Sequence, residues 1–331
     1  MLVEELLEPK ILVVSGKGGV GKTTVAAALA LLAARQSRKV CIAEVDRRGS
    51  LPKLFGAADL GYEPSELSPG VWGINIAPEE ALAEYLRVQY RMHRISRVLT
   101  HSHFIDYITT AAPGLKDILV LGKVWYLEQG PDSGGTTHRF DTIIVDAPAA
   151  GHMRTFLSAP AGLSDAVRVG PVHRQADWIL RMLRDPRRTR VHLVTLAEEM
   201  PVAETLETTE ALAGPLRMPQ GVTFANSIYE ELLGRPEERM LEELVTSGGL
   251  NELAQTARAV NLRLDGEDLD AIVRCAQFIR ARRAIQTRHL RVLRKGLNNS
   301  IVELPFLFSA GLALPDIESL ADVIEERVAK L

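Results

Sequence analysis

Short apolar segments bounded by turn residues recur along the chain at 11–14, 40–45, 71–76, 142–146, 191–196, 222–225 and 301–304. Most are separated by stretches whose apolar positions follow a helical period, and this alternation predicts an α/β fold, a doubly wound and mostly parallel sheet with helices on both faces. Ligands of such sheets bind at the carboxyl ends of the strands. There the first segment runs into a glycine-rich loop, Asp46 closes the second, Asp146 the fourth and Asn226 the sixth, so all four are expected on one edge. Two longer stretches, 79–130 and 229–295, have helical character and predict an inserted helical subdomain above that edge, within a single domain of residues 1–331. Residues 130–138, Gly-Pro-Asp-Ser-Gly-Gly-Thr-Thr-His, read as a turn region.

Residues 15–24 are Ser-Gly-Lys-Gly-Gly-Val-Gly-Lys-Thr-Thr, between the apolar run Ile11–Val14 and an alanine-rich helix former beginning at Val25. A polyphosphate is held by successive backbone N–H groups that a glycine-rich loop can aim inward, so Gly16, Gly18, Gly19 and Gly21, with Val20 between them, are the expected cradle. Lys22 is spaced to reach the β- and γ-phosphates, Thr23 to offer a hydroxyl to Mg²⁺, and Thr24 lies in the first turn, where the helix dipole favours an anion. The implied ligand is a nucleoside triphosphate.

Lys17 is a second lysine inside the loop. In the deviant form of this loop, which it resembles, that side chain reaches across a dimer interface to the partner's nucleotide and neutralises transition-state charge as an arginine finger does. A surface lysine that solvates the loop is the alternative.

The segment Phe140–His152 is an apolar strand ending in a carboxylate and followed by Pro148, Gly151 and His152. Asp146 is expected to hold Mg²⁺ through a water, and the Gly151–His152 loop to reorganise when the γ-phosphate leaves. Asp46 stands where a carboxylate could orient the attacking water. Glu44, two residues back and on the same side of the strand, is its competitor, and we favour Asp46 as the nearer to the loop.

Composition adds mainly exclusions. A net charge of −3 argues against a general nucleic-acid binder, and 24% charged with 46% hydrophobic residues is ordinary for a globular protein. The acidic N-terminus is unlike a secretory signal, and the longest apolar run, 25–34, is too short to cross a bilayer, so a cytoplasmic protein is expected. Two cysteines, Cys41 and Cys275, form no zinc or thiol motif. His93, His101 and His103 sit among arginines and read as a solvated helix end rather than a metal site. The cations from Arg280 to Lys295 read chiefly as a solvated helix face, with attraction of anions or acidic headgroups as the alternative.

Taken together, the loop, Ala77–Leu86, Ala112–Leu119, Val145–His152 and Val194–Glu204 resemble the arsenite-pump ATPases and the related ATPases that target tail-anchored membrane proteins, members of the deviant-Walker-A group. Gly170–Asp177 is similar to an actinobacterial branch. The resemblance covers nearly the whole chain and implies an ATPase, with ATP and Mg²⁺ as ligands, whose two nucleotide sites face each other across a dimer. It also implies that Asn226 reads the adenine edge, that Pro305 lies in a segment closing over the base, and that dimer opening and closing moves the helical subdomain and a client. Three features depart from the family. Asp46 is followed by Arg47, Arg48 and Gly49 rather than Pro-Ala-His, and both the arsenite-binding cysteine triad and the zinc-binding C-x-x-C are missing from the sequence.

The expected function is therefore Mg-dependent ATP hydrolysis coupled to an anion, a metabolite or a membrane-protein client, in a homodimer or a heterodimer with a paralogous ATPase. A nucleotide-gated chaperone or scaffold subunit with little hydrolysis of its own is the alternative. A DNA-binding partition ATPase is disfavoured by the acidic balance.

Overall fold

The computed structural model describes residues 3–45, 49–90, 114–231, 234, 236–237, 239–240, 242–243 and 250–331. Among them are eight strands: β1 (Ile11–Gly16), β2 (Val40–Glu44), β3 (Ser65–Ser68), β4 (Val71–Asn75), β5 (Thr142–Ala149), β6 (Thr189–Leu196), β7 (Gln220–Ile228) and β8 (Ile301–Pro305). They form one sheet in the order β3-β4-β2-β5-β1-β6-β7-β8, parallel throughout except for the edge strand β3. The α/β class read from the apolar spacing is the class observed. The one strand the spacing does not predict, β3, is a short edge piece of exposed and half-buried residues that presents no buried apolar face.

Each strand residue faces the side opposite to its neighbour, and β1 uses both sides. Leu12 and Val14 enter one core with α1 (Val3–Leu7), α2 (Lys22–Arg35), α3 (Ser50–Phe55) and α11 (Leu314–Val328). Ile11 and Val13 enter the other, with α4 (Pro78–Tyr90), α5 (Leu115–Gln129), α6 (Ala150–Ala166) and α7 (Pro171–Arg184). Helix α2 is buried nearly all round, and Ala26, Ala27, Ala30 and Ala33 have no exposed surface. Small side chains let it fit between the sheet and α11, which fixes the axis on which the glycine loop is mounted.

A smaller core joins β7 to α8 (Glu199–Ala211) and α10 (Gly266–Gly296), with α9 (Leu250–Ala259) just before α10 in the chain. α10 starts at a capping box, in which Asp268 N–H donates to Asp265 Oδ1 at 2.9 Å and Asp265 N–H to Asp268 Oδ2 at 3.1 Å. Four of its seven late cations are ion-paired: Arg280 with Glu242, Arg282 with Glu198, and Arg283 and Arg294 with Glu303. Arg288, Arg291 and Lys295 are exposed. No helix among the described residues is long and apolar enough to cross a membrane. The histidines at 93, 101 and 103 lie outside the described residues.

Candidate active site

β1 ends in the loop 16–21, and α2 begins at Lys22 with Gly21 as its N-cap. Two glycines are required by geometry. A Cβ on Gly16 (φ +153°) would stand 2.0 Å from the Val194 carbonyl oxygen, and one on Gly21 (φ +92°) would stand 2.3 Å from Asn226 Nδ2. Gly18 is different, since it has an ordinary backbone and open space where its Cβ would be, so its side of the loop faces outward rather than into a turn.

Around the head of α2 lies a cavity of about 340 Å³ lined by Gly19, Gly21, Lys22, Thr23, Thr24, Glu44, Ser50, Leu54, Asp146 and Ala147. Lys22 is buried and donates to the Lys17 carbonyl at 3.2 Å. Thr23 Oγ1 donates to Asp146 Oδ2 at 2.6 Å, which binds the first turn of α2 to β5. Ser15 Oγ donates to the Pro148 carbonyl at 2.9 Å, so side chains fasten β5 both to the strand before the loop and to the helix after it. Thr23, Asp146 and Glu44 supply hydroxyl and carboxylate oxygens, the donor set that suits a hard divalent cation such as Mg²⁺.

Asp46, with Arg47 and Arg48, lies outside the described residues. β2 ends at Glu44, not at residue 46, and Glu44 is 2% exposed in the cavity floor. Glu44 is also the register partner of Asp146 on β5. Its carboxylate accepts from Ser50 N–H and from Asn75 Nδ2, each at 3.3 Å.

Lys17 Nζ sits 3.3 Å from Glu204 Oε2 on α8, with both side chains about one-third exposed. The segment after Asp146 corrects the sequence reading. β5 continues through Ala149 and α6 starts at Ala150, so Gly151 and His152 occupy the first turn of a helix rather than a loop. Ala149 can keep strand pairing with Gly16, and the alanines and methionine that follow favour helix. His152 Nε2 lies 3.4 Å from Asp117 Oδ1 in the first turn of α5. Burial pushes the Asp117 carboxyl above its usual range, outweighing the opposing pull of His152.

A second cavity, of about 380 Å³, shares Gly19, Gly21 and Thr24 with the first and extends to Asn226, Tyr229, Arg282, Gln286, Pro305 and Phe306. Asn226 Nδ2 donates to the Val20 carbonyl at 2.9 Å, which turns its Oδ1 into the acceptor left for a ligand. Pro305 ends β8 opposite Ile228, and the Phe306 ring stacks on Tyr229 with centroids 4.7 Å apart. Gln286 of α10 accepts from Tyr229 N–H at 2.9 Å and donates to the Ser227 carbonyl at 2.8 Å. The structure thus brings Gly16–Thr24, Asp146, Asn226 and Pro305 to one edge. The sequence reading did not find Tyr229, Gln286 and Phe306, although an aromatic three residues after Asn226 and the run Pro-Phe-Leu-Phe at 305–308 were available signals.

The family model described as anion-transporting ATPase matches residues 9–177. The chain is similar to the ATPase BagA of Mycobacterium tuberculosis, 37% identical over 218 residues, which are 64% of this chain and 63% of that protein. The match therefore spans just under two thirds of that relative. It is also similar to an arsenical pump-driving ATPase of Acidiphilium multivorum, 27% identical over 62% of this chain and 37% of that protein. ATPase get3 of Schizosaccharomyces japonicus is 27% identical over 87% of this chain and 84% of its own length.

Proposed function

The chain belongs to the anion-transporting ATPase family, and from that membership we propose that it binds and hydrolyses ATP with Mg²⁺, as a cytoplasmic dimer whose closure is coupled to handling an anionic or membrane-protein client. The observation that carries the reading is the 2.6 Å hydrogen bond from Thr23 to Asp146 at the mouth of a glycine-lined cavity that also holds Lys22. Loop N–H groups and the α2 dipole would cradle the phosphates, and Lys22 would leave the Lys17 carbonyl to meet the β- and γ-oxygens. Thr23 and Asp146 would hold magnesium, Asp146 through a water; when bound, the ion draws charge from the phosphate oxygens. The free Oδ1 of Asn226 supports adenine over guanine, since it accepts from an exocyclic amino group and opposes a carbonyl.

Within this reading Asp46 orients the attacking water, and Lys17 exchanges Glu204 for the nucleotide of the other subunit, a second copy or a paralogous ATPase. Pro148, Gly151 and His152 form the segment that senses the γ-phosphate, with α6 as the moving part. The stretches 79–130 and 229–295 are the proposed route by which that motion passes to the client.

Phosphate release by the purified chain with ATP tests the proposal. Turnover should stop in EDTA and fall about a hundredfold in Lys22→Ala. Absence of adenine-nucleotide binding by well-folded protein, alone or mixed with a paralogous ATPase, would overturn it.

A further inference from the structure

Glu44 is a buried carboxylate with an unusual set of partners. Its two hydrogen bonds come from neutral donors, the Ser50 N–H and the Asn75 side chain, both at 3.3 Å. Beside it on the neighbouring strand stands a second carboxylate in register, Asp146. Burying an anion is costly unless positive charge is close. Among the described residues lining this cavity the formal charges are one lysine, Lys22, against the two carboxylates Glu44 and Asp146. A triphosphate would add several more negative charges to the same space, which makes a divalent cation the natural counter-charge.

The orientation of Glu44 is set from two sides. Ser50 is the first residue of α3 and Asn75 the last of β4, so the carboxylate is clamped between a helix start and a strand end while facing the cavity. Each carboxylate oxygen has two lone pairs, so a group accepting one bond per oxygen still has acceptor sites for water. The Ser50 bond also spans residues 45–49, the segment that carries Asp46, and ties its far end to the strand it left.

We infer that Glu44 is a positioning residue of the magnesium site, pairing with Asp146 to hold the ion's water shell at the end of β2 and β5. The inference rests on the proposed nucleotide site and adds a second carboxylate to it. Glu44 is not the base in this account, because its oxygens are fixed by Ser50 and Asn75 for holding rather than for accepting a proton.

The test compares binding of a fluorescent ribose-labelled ADP in magnesium and in EDTA, for the wild type, Glu44→Gln and Asn75→Ala. The ratio of the two affinities reports the magnesium contribution without any turnover. Glu44→Gln keeps the shape and the acceptor for Ser50, and should cut that ratio about tenfold with EDTA binding within twofold of wild type. Asn75→Ala, which only loosens the carboxylate, should cut it severalfold. A wild-type ratio retained in Glu44→Gln overturns the inference and leaves the nucleotide site standing, as does a parallel loss in both media, which marks a purely structural role. Failure of the wild type to bind the nucleotide at all overturns the site itself together with this inference.

Discussion

The Lys17 ammonium and the Glu204 carboxylate face each other at 3.3 Å within one chain, across the gap between the loop and α8. The lysine proposed to serve a neighbouring subunit is thus held at home by an acid. A pair this exposed is worth about 1 kcal/mol at most, so it acts as a weak competitor.

Removing the competitor should favour the paired subunit state. Glu204→Gln is expected to raise ATP-dependent dimerisation or turnover by up to about fivefold. Lys17→Ala should lower turnover by about a thousandfold with ATP affinity nearly intact. Sedimentation velocity with a non-hydrolysable ATP analogue and steady-state phosphate release would report both, and unchanged turnover in Lys17→Ala would remove the trans role.

Asn226 should decide the base. Its Nδ2 is fixed by Val20, and losing the opposite acceptor costs one hydrogen bond. Asn226→Ala is expected to weaken ATP binding about tenfold and to narrow the preference over GTP, measured by calorimetric titration of both nucleotides.

His192 makes stability depend on pH. Burial first, and Arg190 second, hold its pKa at about 4 against the pull of the Val222 carbonyl, which accepts from Nδ1 when the ring is protonated and so favours charge. The unfolded chain protonates near 6.5 and the folded one only near 4, so the fold is fully favoured above 6.5 and loses stability as the pH falls between those values. Between pH 7 and 5 the loss should be about 2 kcal/mol. Urea unfolding of His192→Asn should show that component missing; an unchanged pH slope would point to other groups.

The buried pair Lys123 and Glu84, at 2.8 Å and 1% and 5% exposed, should be expensive to break on one side. Glu84 also accepts from the Tyr62 hydroxyl at 2.7 Å, and Lys123 donates to the Gly135 carbonyl. Lys123→Met should cost about 3 kcal/mol by leaving the buried Glu84 with only the exposed Arg87, 3.7 Å away, as counter-charge, and adding Glu84→Leu should restore most of it. Denaturant midpoints of the two variants would check the order.

How far the sequence foretold this molecule follows from range. Seven strands were legible because each is a local apolar run, and the loop because its function is written in ten consecutive residues. β3 was hidden by its polar edge character. Gly151 and His152 read as loop in the sequence because glycine suggests a turn, while the alanines around them extend β5 and then start α6. Gln286 reaches the Asn226 cavity across 60 residues, through a packing of α10 on β7 that no local pattern encodes. Asp117 and the Lys123–Glu84 pair were unreadable for the same reason.

Gln286 grips the end of β7 from within a helix of 31 residues. From there to Gly266 the helix runs about 30 Å at 1.5 Å per residue, so a tilt of about 5° at the grip displaces its far tip by about 2.6 Å. Because those residues form one continuous helix, any tilt imposed beside Tyr229 and Phe306 is carried undiminished to its far end.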